Sequence, residues 1–344
     1  MIGTIANVRP HALTWARCAS VALCLACTVM RAGAASDAIR IIVGGIEKQI
    51  YLPAPLAARL GYFREKALDE QLLSDSSGVH AEDALLTGAA QGVVGFYDHT
   101  IDLQARGKFV QCVVQFSRAP GETEVVATRL ADVILTPADF KGHTLGVTGL
   151  GSSTHFLTQY LAAIHGVKSG DMRIVAAGSG MGFVNAMREG RIDAGMATEP
   201  TISRLLQAGD ARVLVDLRTP ASTQAVLGGL YPGACLYMTT QWVNTHRPQV
   251  QRLVNAIVKA LRFIDRHSAQ DIAKQVPPEY FLGDEGLYVS ALRDSKSMFL
   301  ADGVMPPTGP ATALKILKLV SRSVQHNSID LSRTYTTEFT SAVH

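Results

Sequence analysis

Residues 139–156 of this 344-residue chain read D-F-K-G-H-T-L-G-V-T-G-L-G-S-S-T-H-F, and this stretch indicates the class of fold. Its apolar part, residues 144–147, has the length and composition of a buried strand. The helix predicted over 154–165 has one apolar face, formed by Phe156, Tyr160, Leu161 and Ile164. That face is expected to be buried. Together with the glycine- and hydroxyl-rich loop between them, these segments predict one strand–loop–helix unit of an α/β protein.

The same alternation extends to both sides of this unit and predicts α/β layers around a mainly parallel sheet. Strands are predicted over 41–43, 93–96, 110–116, 144–147, 173–176, 192–196 and 212–216. Helices are predicted over 55–66, 81–90, 154–165 and 183–189. Beyond residue 232 the chain is mostly helical, with a long apolar stripe between Val250 and Ile264. Such a helix needs an existing structure to pack against.

Two breaks in the pattern predict a two-lobed molecule. The chain is expected to leave the first lobe near Ala119-Pro120-Gly121 and to return near Pro232-Gly233. The first lobe then contains residues 36–120 and is completed by residues 233–344, whereas the second lobe contains residues 121–232. Two crossings between lobes form a hinge, and proteins of this kind close around a ligand.

Residues 1–35 are predicted to be an export signal. Arg9 and Arg17 provide the positive charge, an apolar run follows over 19–30, and A-G-A-A at 32–35 is a small-residue cleavage site. The apolar run is shorter than the roughly 20 residues of a membrane span, which argues against an anchor. Lipid attachment at Cys27 fits less well, because Cys24 occupies the third position before it. The sequence therefore predicts a periplasmic protein.

Composition excludes several functions. The formal net charge is +3, but residues 1–35 contain three arginines and no acid, so the mature chain is neutral. No basic excess remains to bind nucleic acid or an anionic membrane. Two of five cysteines, Cys112 and Cys235, lie in the mature chain, which is too few for a disulfide scaffold. Buried free thiols are expected, although pairing of these two stays open.

Candidate ligand contacts follow the predicted strands, because open α/β sheets bind ligands at the carboxyl ends of their strands. This rule selects residues 44–51, Tyr97-Asp98-His99, residues 148–154 and Thr198-Glu199. In residues 149–154 two glycines permit close backbone approach and three consecutive hydroxyls offer hydrogen bonds. Together with the helix-start N–H groups they predict an anion site without a basic side chain. Ordinary helix capping is the alternative.

Catalytic and cofactor motifs are not found in the sequence. It contains no H-E-x-x-H, no G-x-S-x-G, no cysteine spacing typical of zinc and no complete nucleotide fingerprint. His99 and His155 adjoin predicted cleft segments and are the histidines of interest. We therefore expect no metal, no cofactor and no catalysis.

Three segments carry a family resemblance: Y-L-P-A-P-L-A-A-R-L-G-Y-F at 51–63, the block at 139–156, and E-G-R-I-D-A-G at 189–195. They resemble the nitrate/sulfonate/taurine and thiamine-pyrimidine-precursor family of ABC-transporter periplasmic substrate-binding proteins. The resemblance implies a type II periplasmic binding-protein fold, with two α/β lobes joined by a two-crossing hinge. It also implies delivery of a small solute to a membrane permease.

The resemblance implies that Ser152 and Ser153 hold the anionic group of the ligand. The complete set of expected contacts is Gln49, Tyr51, Tyr97, Asp98, Gly151, Ser152, Ser153, Thr154 and Glu199. The acidic residues Glu47, Asp98 and Glu199 lie near this predicted site, so a zwitterion, a pyrimidine or a carboxylate with a polar tail is also a candidate ligand. Two alternatives stay open. One is an enzyme similar to the pyrimidine-precursor synthases, which have this fold and use His and Cys in the cleft. The other is a periplasmic sensor input protein.

Overall fold

The computed structural model describes residues 38–343, so the predicted export signal lies outside the described residues. Within that range the strands form two five-stranded sheets. Their bounds are β1 Ile39–Val43, β2 Glu70–Ser74, β3 Gly92–Phe96, β4 Val110–Gln115, β5 Glu122–Ala127, β6 Thr144–Val147, β7 Arg173–Ala176, β8 Ala194–Thr198, β9 Ala211–Leu217 and β10 Ala234–Thr239.

The two sheets have the same topology. The strand order is β2-β1-β3-β10-β4 in the first lobe and β7-β6-β8-β5-β9 in the second. In each sheet the first three strands are parallel, and the fourth, β10 or β5, is antiparallel to both of its neighbours. These antiparallel strands are the first ones that the chain forms after each crossing between lobes. The predicted fold class, two α/β lobes joined by two crossings, is confirmed.

Helices surround both sheets. Their bounds are α1 Pro53–Arg59, α2 Tyr62–Glu65, α3 Gly78–Leu86, α4 Asp98–Ala105, α5 Ser153–Ile164, α6 Met181–Arg188, α7 Thr201–Gln207, α8 Pro220–Leu227, α9 Thr240–Thr245, α10 Arg247–Arg266, α11 Ala269–Ala273, α12 Glu285–Ser295, α13 Gly309–Val320, α14 Arg322–His326 and α15 Glu338–Ser341. The helix predicted over 55–66 is divided into α1 and α2 at Gly61. This residue has a φ of 74°, a left-handed conformation that favours glycine.

The apolar stripe between Val250 and Ile264 is buried in α10, which packs on α1, α2 and β4. The C-terminal region also contacts the second lobe, because α13 packs against α5 as well as α4. Ile316 of α13 belongs to a continuous apolar cluster that includes Val93 of the first sheet and Leu145 of the second. The helical tail therefore supports both lobes, not the first lobe alone.

Three strands were not predicted. β2 is a partly exposed edge strand with few apolar residues, and β10 falls in the region predicted to be helical. β5 reads E-T-E-V-V-A, and all six residues are buried, including Glu122 and Glu124. Acidic residues are rarely buried without partners, so the sequence gives no sign that this segment lies inside a sheet.

Candidate ligand-binding site

A narrow cavity of about 10 Å3, room for about one water molecule, lies where the strand ends of the two lobes meet. The first lobe contributes Lys48, Tyr51, Gly78, Phe96 and His99, and the second contributes Glu122, Thr148, Ser152, Ser153, Thr154 and Thr198. The carboxyl ends of β3, β6 and β8 all reach it. The amino end of β5 lies at the same edge, because β5 runs antiparallel to β8. The cavity is therefore at the edge expected for ligand binding in such sheets.

The loop before α5 is held by its own hydroxyl groups. The Ser152 hydroxyl donates a hydrogen bond to the Gly149 carbonyl at 2.7 Å and lies 2.7 Å from the Thr154 hydroxyl oxygen. The Thr148 N–H donates to the Thr154 hydroxyl oxygen at 3.0 Å. The Ser153 hydroxyl is buried close to the Asp98 carboxyl and lowers its pKa, although no contact of the hydroxyl meets the geometry of a hydrogen bond. Thus Ser152 and Thr154 fix the loop, while Ser153 remains able to contact a ligand.

Gly151 does not line the cavity, unlike Ser152 and Ser153. Its φ is 91°, and its N–H donates to the Nδ1 atom of His155 at 2.8 Å. Both residues line a separate surface groove between α5 and the C-terminal helices, together with Phe156 and Arg322. Gly151 therefore shapes the loop, and neither residue lines the cavity between the lobes.

Of the predicted pair on the first lobe, Tyr51 lines the cavity and Gln49 does not. The Tyr51 ring contacts Phe96 edge-on, with ring centroids 6.1 Å apart. The Gln49 side-chain amide donates to the Tyr288 carbonyl at 2.8 Å, which directs it away from the cavity. The Gln49 backbone N–H donates to the Glu199 carbonyl at 3.0 Å. Gln49 thus connects the two lobes through its main chain.

Tyr97 and Asp98 lie behind the wall of the cavity. The Tyr97 hydroxyl is 2.5 Å from the Thr334 hydroxyl oxygen, and its ring belongs to the apolar cluster shared by the lobes. Asp98 is buried, and one of its carboxylate oxygens accepts a hydrogen bond from the Tyr231 hydroxyl at 2.6 Å. Its other oxygen has no hydrogen-bond partner. Burial raises the pKa of Asp98, outweighing the opposite effects of His99 and Tyr231.

His99 lines the cavity but is held between carboxylates. Its Nδ1 atom lies 3.0 Å from a Glu82 oxygen, and its Nε2 atom lies 3.8 Å from an Asp98 oxygen. Arg106 contacts the other Glu82 oxygen at 3.0 Å. Burial alone would lower the pKa of His99, but Glu82 and Asp98 outweigh it, so the pKa is raised. The imidazole is thus stabilised as a cation.

Glu199 is buried and lies outside the cavity. Arg218 donates to one of its carboxylate oxygens at 3.0 Å, and the backbone N–H of Ser203 donates to the other at 3.0 Å. Burial still raises the pKa of Glu199 despite these contacts. The residue therefore connects the ends of β8 and β9 and, through its carbonyl, the two lobes.

Two charged residues of the cavity wall were not in the predicted set of ligand contacts: Lys48, which lies within the selected segment 44–51, and Glu122. The Lys48 ammonium donates to the Gly44 carbonyl at 2.6 Å and lies 5.8 Å from the Tyr51 ring centroid. Burial lowers the pKa of Lys48, and the carboxyls of Glu47 and Glu122 oppose this effect. Burial raises the pKa of Glu122 well above its usual value. One signal could have indicated Glu122: it directly follows the predicted crossing at 119–121.

The fold and the cleft between two lobes are those of the periplasmic binding-protein class of folds. Within that class, the chain belongs to the NMT1/THI5-like family, whose model matches residues 51–270. A structure from Bordetella bronchiseptica RB50 is 36% identical, covers 88% of this chain and 95% of its own, and has a TM-score of 0.84. No curated protein matches the chain significantly.

More distant structures share the fold. The alkanesulfonate-binding protein SsuA from Xanthomonas axonopodis pv. citri, bound to MOPS, is 17% identical, with 87% of this chain and 97% of that chain covered and a TM-score of 0.67. The periplasmic nitrate-binding protein NrtA from Synechocystis PCC 6803 is 11% identical, with 88% and 86% covered and a TM-score of 0.69. In residues 38–343 of the present chain, no helix is long and apolar enough to cross a membrane, and no His, Cys, Asp and Glu cluster could hold a metal ion.

Proposed function

We propose that this protein is the periplasmic substrate-binding component of an ABC importer, and that it binds a small anionic or zwitterionic solute between its lobes and delivers it to the permease. One observation carries the proposal: the start of α5, with the buried and unpaired Ser153 hydroxyl, faces a cavity that both lobes line. The first N–H groups of a helix have no partners within it, so they attract negative charge at this end.

Four of the predicted contacts line the cavity and are proposed to touch the ligand: Tyr51, Ser152, Ser153 and Thr154. The others are proposed to act through their neighbours. Gly151 shapes the loop, Gln49 and Glu199 connect the lobes, and Tyr97 and Asp98 support the wall. The sulfonate- and nitrate-binding proteins of the same fold support an anionic group on the ligand.

A binding function without catalysis is favoured by the chemistry of the cavity wall. The synthase-like alternative requires histidine and cysteine in the cleft. His99 is held as a cation by Glu82 and Asp98, and Cys112 and Cys235 are both buried without lining the cavity. The described wall therefore offers no thiol, and its one histidine is paired with the Glu82 carboxyl through Nδ1.

The ligand is to be found by thermal shift with the protein purified from the periplasm, against nitrate, alkanesulfonates, phosphate, carboxylates and pyrimidines. Binding to the native state raises the melting temperature. For the strongest ligand, calorimetry is expected to show that Ser153→Ala weakens binding by about 1–3 kcal/mol. The matched control is Ser169→Ala, an exposed serine elsewhere in the second lobe.

Each part of the proposal has an experimental outcome that contradicts it. If none of these solutes raises the melting temperature, the proposed class of ligand is wrong. If Ser153→Ala binds as tightly as the wild type, residues 149–154 are not the anion site. Export is tested by fractionation: the protein is expected in the periplasm with an N-terminus near residue 35, and an unprocessed cytoplasmic chain would contradict the proposed location.

A further inference from the structure

Beside the helix start, the cavity has a second group of buried polar atoms. Glu122 and Thr198 are paired residues of β5 and β8, and both line the cavity. Glu122 is 1% exposed and Thr198 is 3% exposed. One carboxylate oxygen of Glu122 and the Thr198 hydroxyl have no hydrogen-bond partner. Leaving such groups buried and unpaired is costly, so a bound ligand that satisfies them would gain affinity.

The charged groups around Glu122 carry no net positive charge. The ionisable groups that face it are Lys48, Asp98, Glu124, Tyr51 and Tyr231. The cations closest to the cavity are Lys48 and His99; the Nδ1 atom of His99 contacts Glu82 at 3.0 Å, whereas its Nε2 atom has no hydrogen-bond partner. The ammonium of Lys48 donates to the Gly44 carbonyl. Because Arg106 also contacts Glu82, the three carboxyls Glu122, Asp98 and Glu82 are matched by three cations, and the wall has no positive excess.

We propose that Glu122 and Thr198 bind a positively charged nitrogen of the ligand, so that the natural ligand is an organic zwitterion whose anionic group lies at the start of α5. This inference rests on the proposed function and specifies its ligand. An ammonium group would donate hydrogen bonds to both unpaired oxygens and compensate the buried carboxylate, an arrangement that is stronger than a neutral hydrogen bond.

The same arrangement makes the affinity for simple anions depend on pH. Burial and the neighbouring Asp98 raise the pKa of Glu122, while Lys48 opposes them. A simple anion adds negative charge near Glu122 and raises its pKa further, so its binding is accompanied by uptake of a proton where Glu122 is ionised in the free protein. Its affinity therefore falls as the pH rises through the pKa of Glu122, by at most about tenfold per pH unit. A zwitterion replaces that proton with its own charge, so its affinity is not expected to fall in this way.

The test uses pairs of probes that differ only by an amino group: ethanesulfonate and 2-aminoethanesulfonate, propionate and 3-aminopropionate, and ethylphosphonate and 2-aminoethylphosphonate. Dissociation constants are measured by calorimetry from pH 6 to pH 8 for the sulfonate and carboxylate pairs, whose charges stay constant in this range, and at one pH for the phosphonate pair. In the pair that binds best, the amino member is expected to bind at least about tenfold more tightly. Only the simple anion is expected to weaken as the pH rises.

Two variants and a matched control assign this preference to Glu122. Glu122→Gln removes a buried charge and keeps the shape, and it is expected to abolish most of the preference and the pH dependence for the simple anion. Thr198→Val is expected to reduce the preference in part. Glu189→Gln changes an exposed carboxyl of the second lobe that does not line the cavity, and it should leave both properties unchanged.

The outcomes separate this inference from the proposed function. If no member of any pair binds, the anion site itself fails. If the probes bind but the simple anions bind as tightly as their amino partners, the proposed function stands and the zwitterion inference is overturned. A preference that persists unchanged in Glu122→Gln also overturns it, because the positive charge would then be recognised elsewhere.

Discussion

At the scale of single residues, the free energy of unfolding depends on the hydrogen bonds and cations that contact each buried carboxyl. Glu124 illustrates the point: one carboxylate oxygen accepts a hydrogen bond from the Thr158 hydroxyl at 2.8 Å, and the other has no partner. Burial raises the pKa of Glu124 to about 8. The group therefore stays protonated in the folded protein at a pH where it is ionised in the unfolded chain.

Glu124→Gln is expected to make stability less dependent on pH. Because the folded pKa is raised from the usual 4.5 to about 8, the stabilisation by Glu124 is complete below pH 4.5 and is lost as the pH rises towards 8. Glutamine mimics the protonated acid and removes this loss. At pH 8 we expect the variant to unfold with a free energy higher than that of the wild type by on the order of 2 kcal/mol.

Urea denaturation at pH 5 and pH 8 measures this effect. The exposed Glu189→Gln serves as the control and is expected to change the free energy of unfolding by less than about 0.5 kcal/mol at either pH. If the free energy of unfolding falls equally between pH 5 and pH 8 in Glu124→Gln and in the wild type, Glu124 is not the group that titrates.

Among the ion-paired residues, Arg218 is expected to be the one whose replacement destabilises the protein most. It donates to the buried Glu199 at 3.0 Å and to Asp216 at 2.7 Å, at the ends of β8 and β9. Arg218→Met would leave Glu199 buried without a cation, and we expect a loss of about 3 kcal/mol at pH 7 by urea denaturation. In the exposed pair Arg191–Glu189, Arg191→Met is expected to cost less than about 1 kcal/mol. Equal losses for the two variants would contradict the prediction.

At the scale of elements, the close contact between β6 and β8 depends on two glycines. Gly146 and Gly195 are directly paired, and a Cβ atom on Gly195 would lie 2.3 Å from the Gly146 carbonyl oxygen. The strands that position Thr148 and Thr198 could not approach so closely with larger residues. These glycines therefore help to set the distance between two sides of the cavity.

Gly195→Ala is expected to destabilise the protein by about 3 kcal/mol, because backbone atoms must move to relieve the clash. Thermal or urea unfolding measures this loss. Gly170→Ala provides the control, since a Cβ atom there would meet no atom within 4 Å. If both alanine variants have the stability of the wild type, the described packing of β6 on β8 is incorrect.

At the scale of the whole molecule, few polar contacts connect the lobes around the cavity. The Gln49 N–H donates to the Glu199 carbonyl at 3.0 Å, the Ser179 hydroxyl donates to Glu47 at 2.9 Å, and the Gln207 amide donates to Asp284 at 3.2 Å. Such contacts are weak enough to exchange with water. Helix α13, which packs on both α4 and α5, is the element that must accommodate any hinge motion.

Ligand binding is therefore expected to compact the molecule. Small-angle scattering with the best ligand from the thermal-shift screen should show a smaller radius of gyration at saturation than without ligand. If the radius of gyration is the same with saturating ligand as without it, the lobes do not close on binding and the site is already formed in the free protein. An unrelated solute that does not raise the melting temperature is the control.

The sequence by itself determined the alternation of strands and helices and the position of the helix-start loop. The strands at 144–147 and 173–176 have the predicted bounds, because their apolar runs and flanking glycines or polar residues are local signals. The loop at 148–154 lies at the cavity because strand ends of this fold meet there. Both properties depend on residues that are close together in the chain.

Only the tertiary structure decided which side chains line the cavity. Gln49 and Tyr97 follow strands as predicted, yet their polar groups contact Tyr288 and Thr334, which are distant in the sequence. Glu122 lies in a strand of polar appearance that is buried because β8 and β9 flank it on both sides. Burial of a charge depends on partners that a local pattern does not contain, and for this reason the acidic part of the site could not be derived from the sequence.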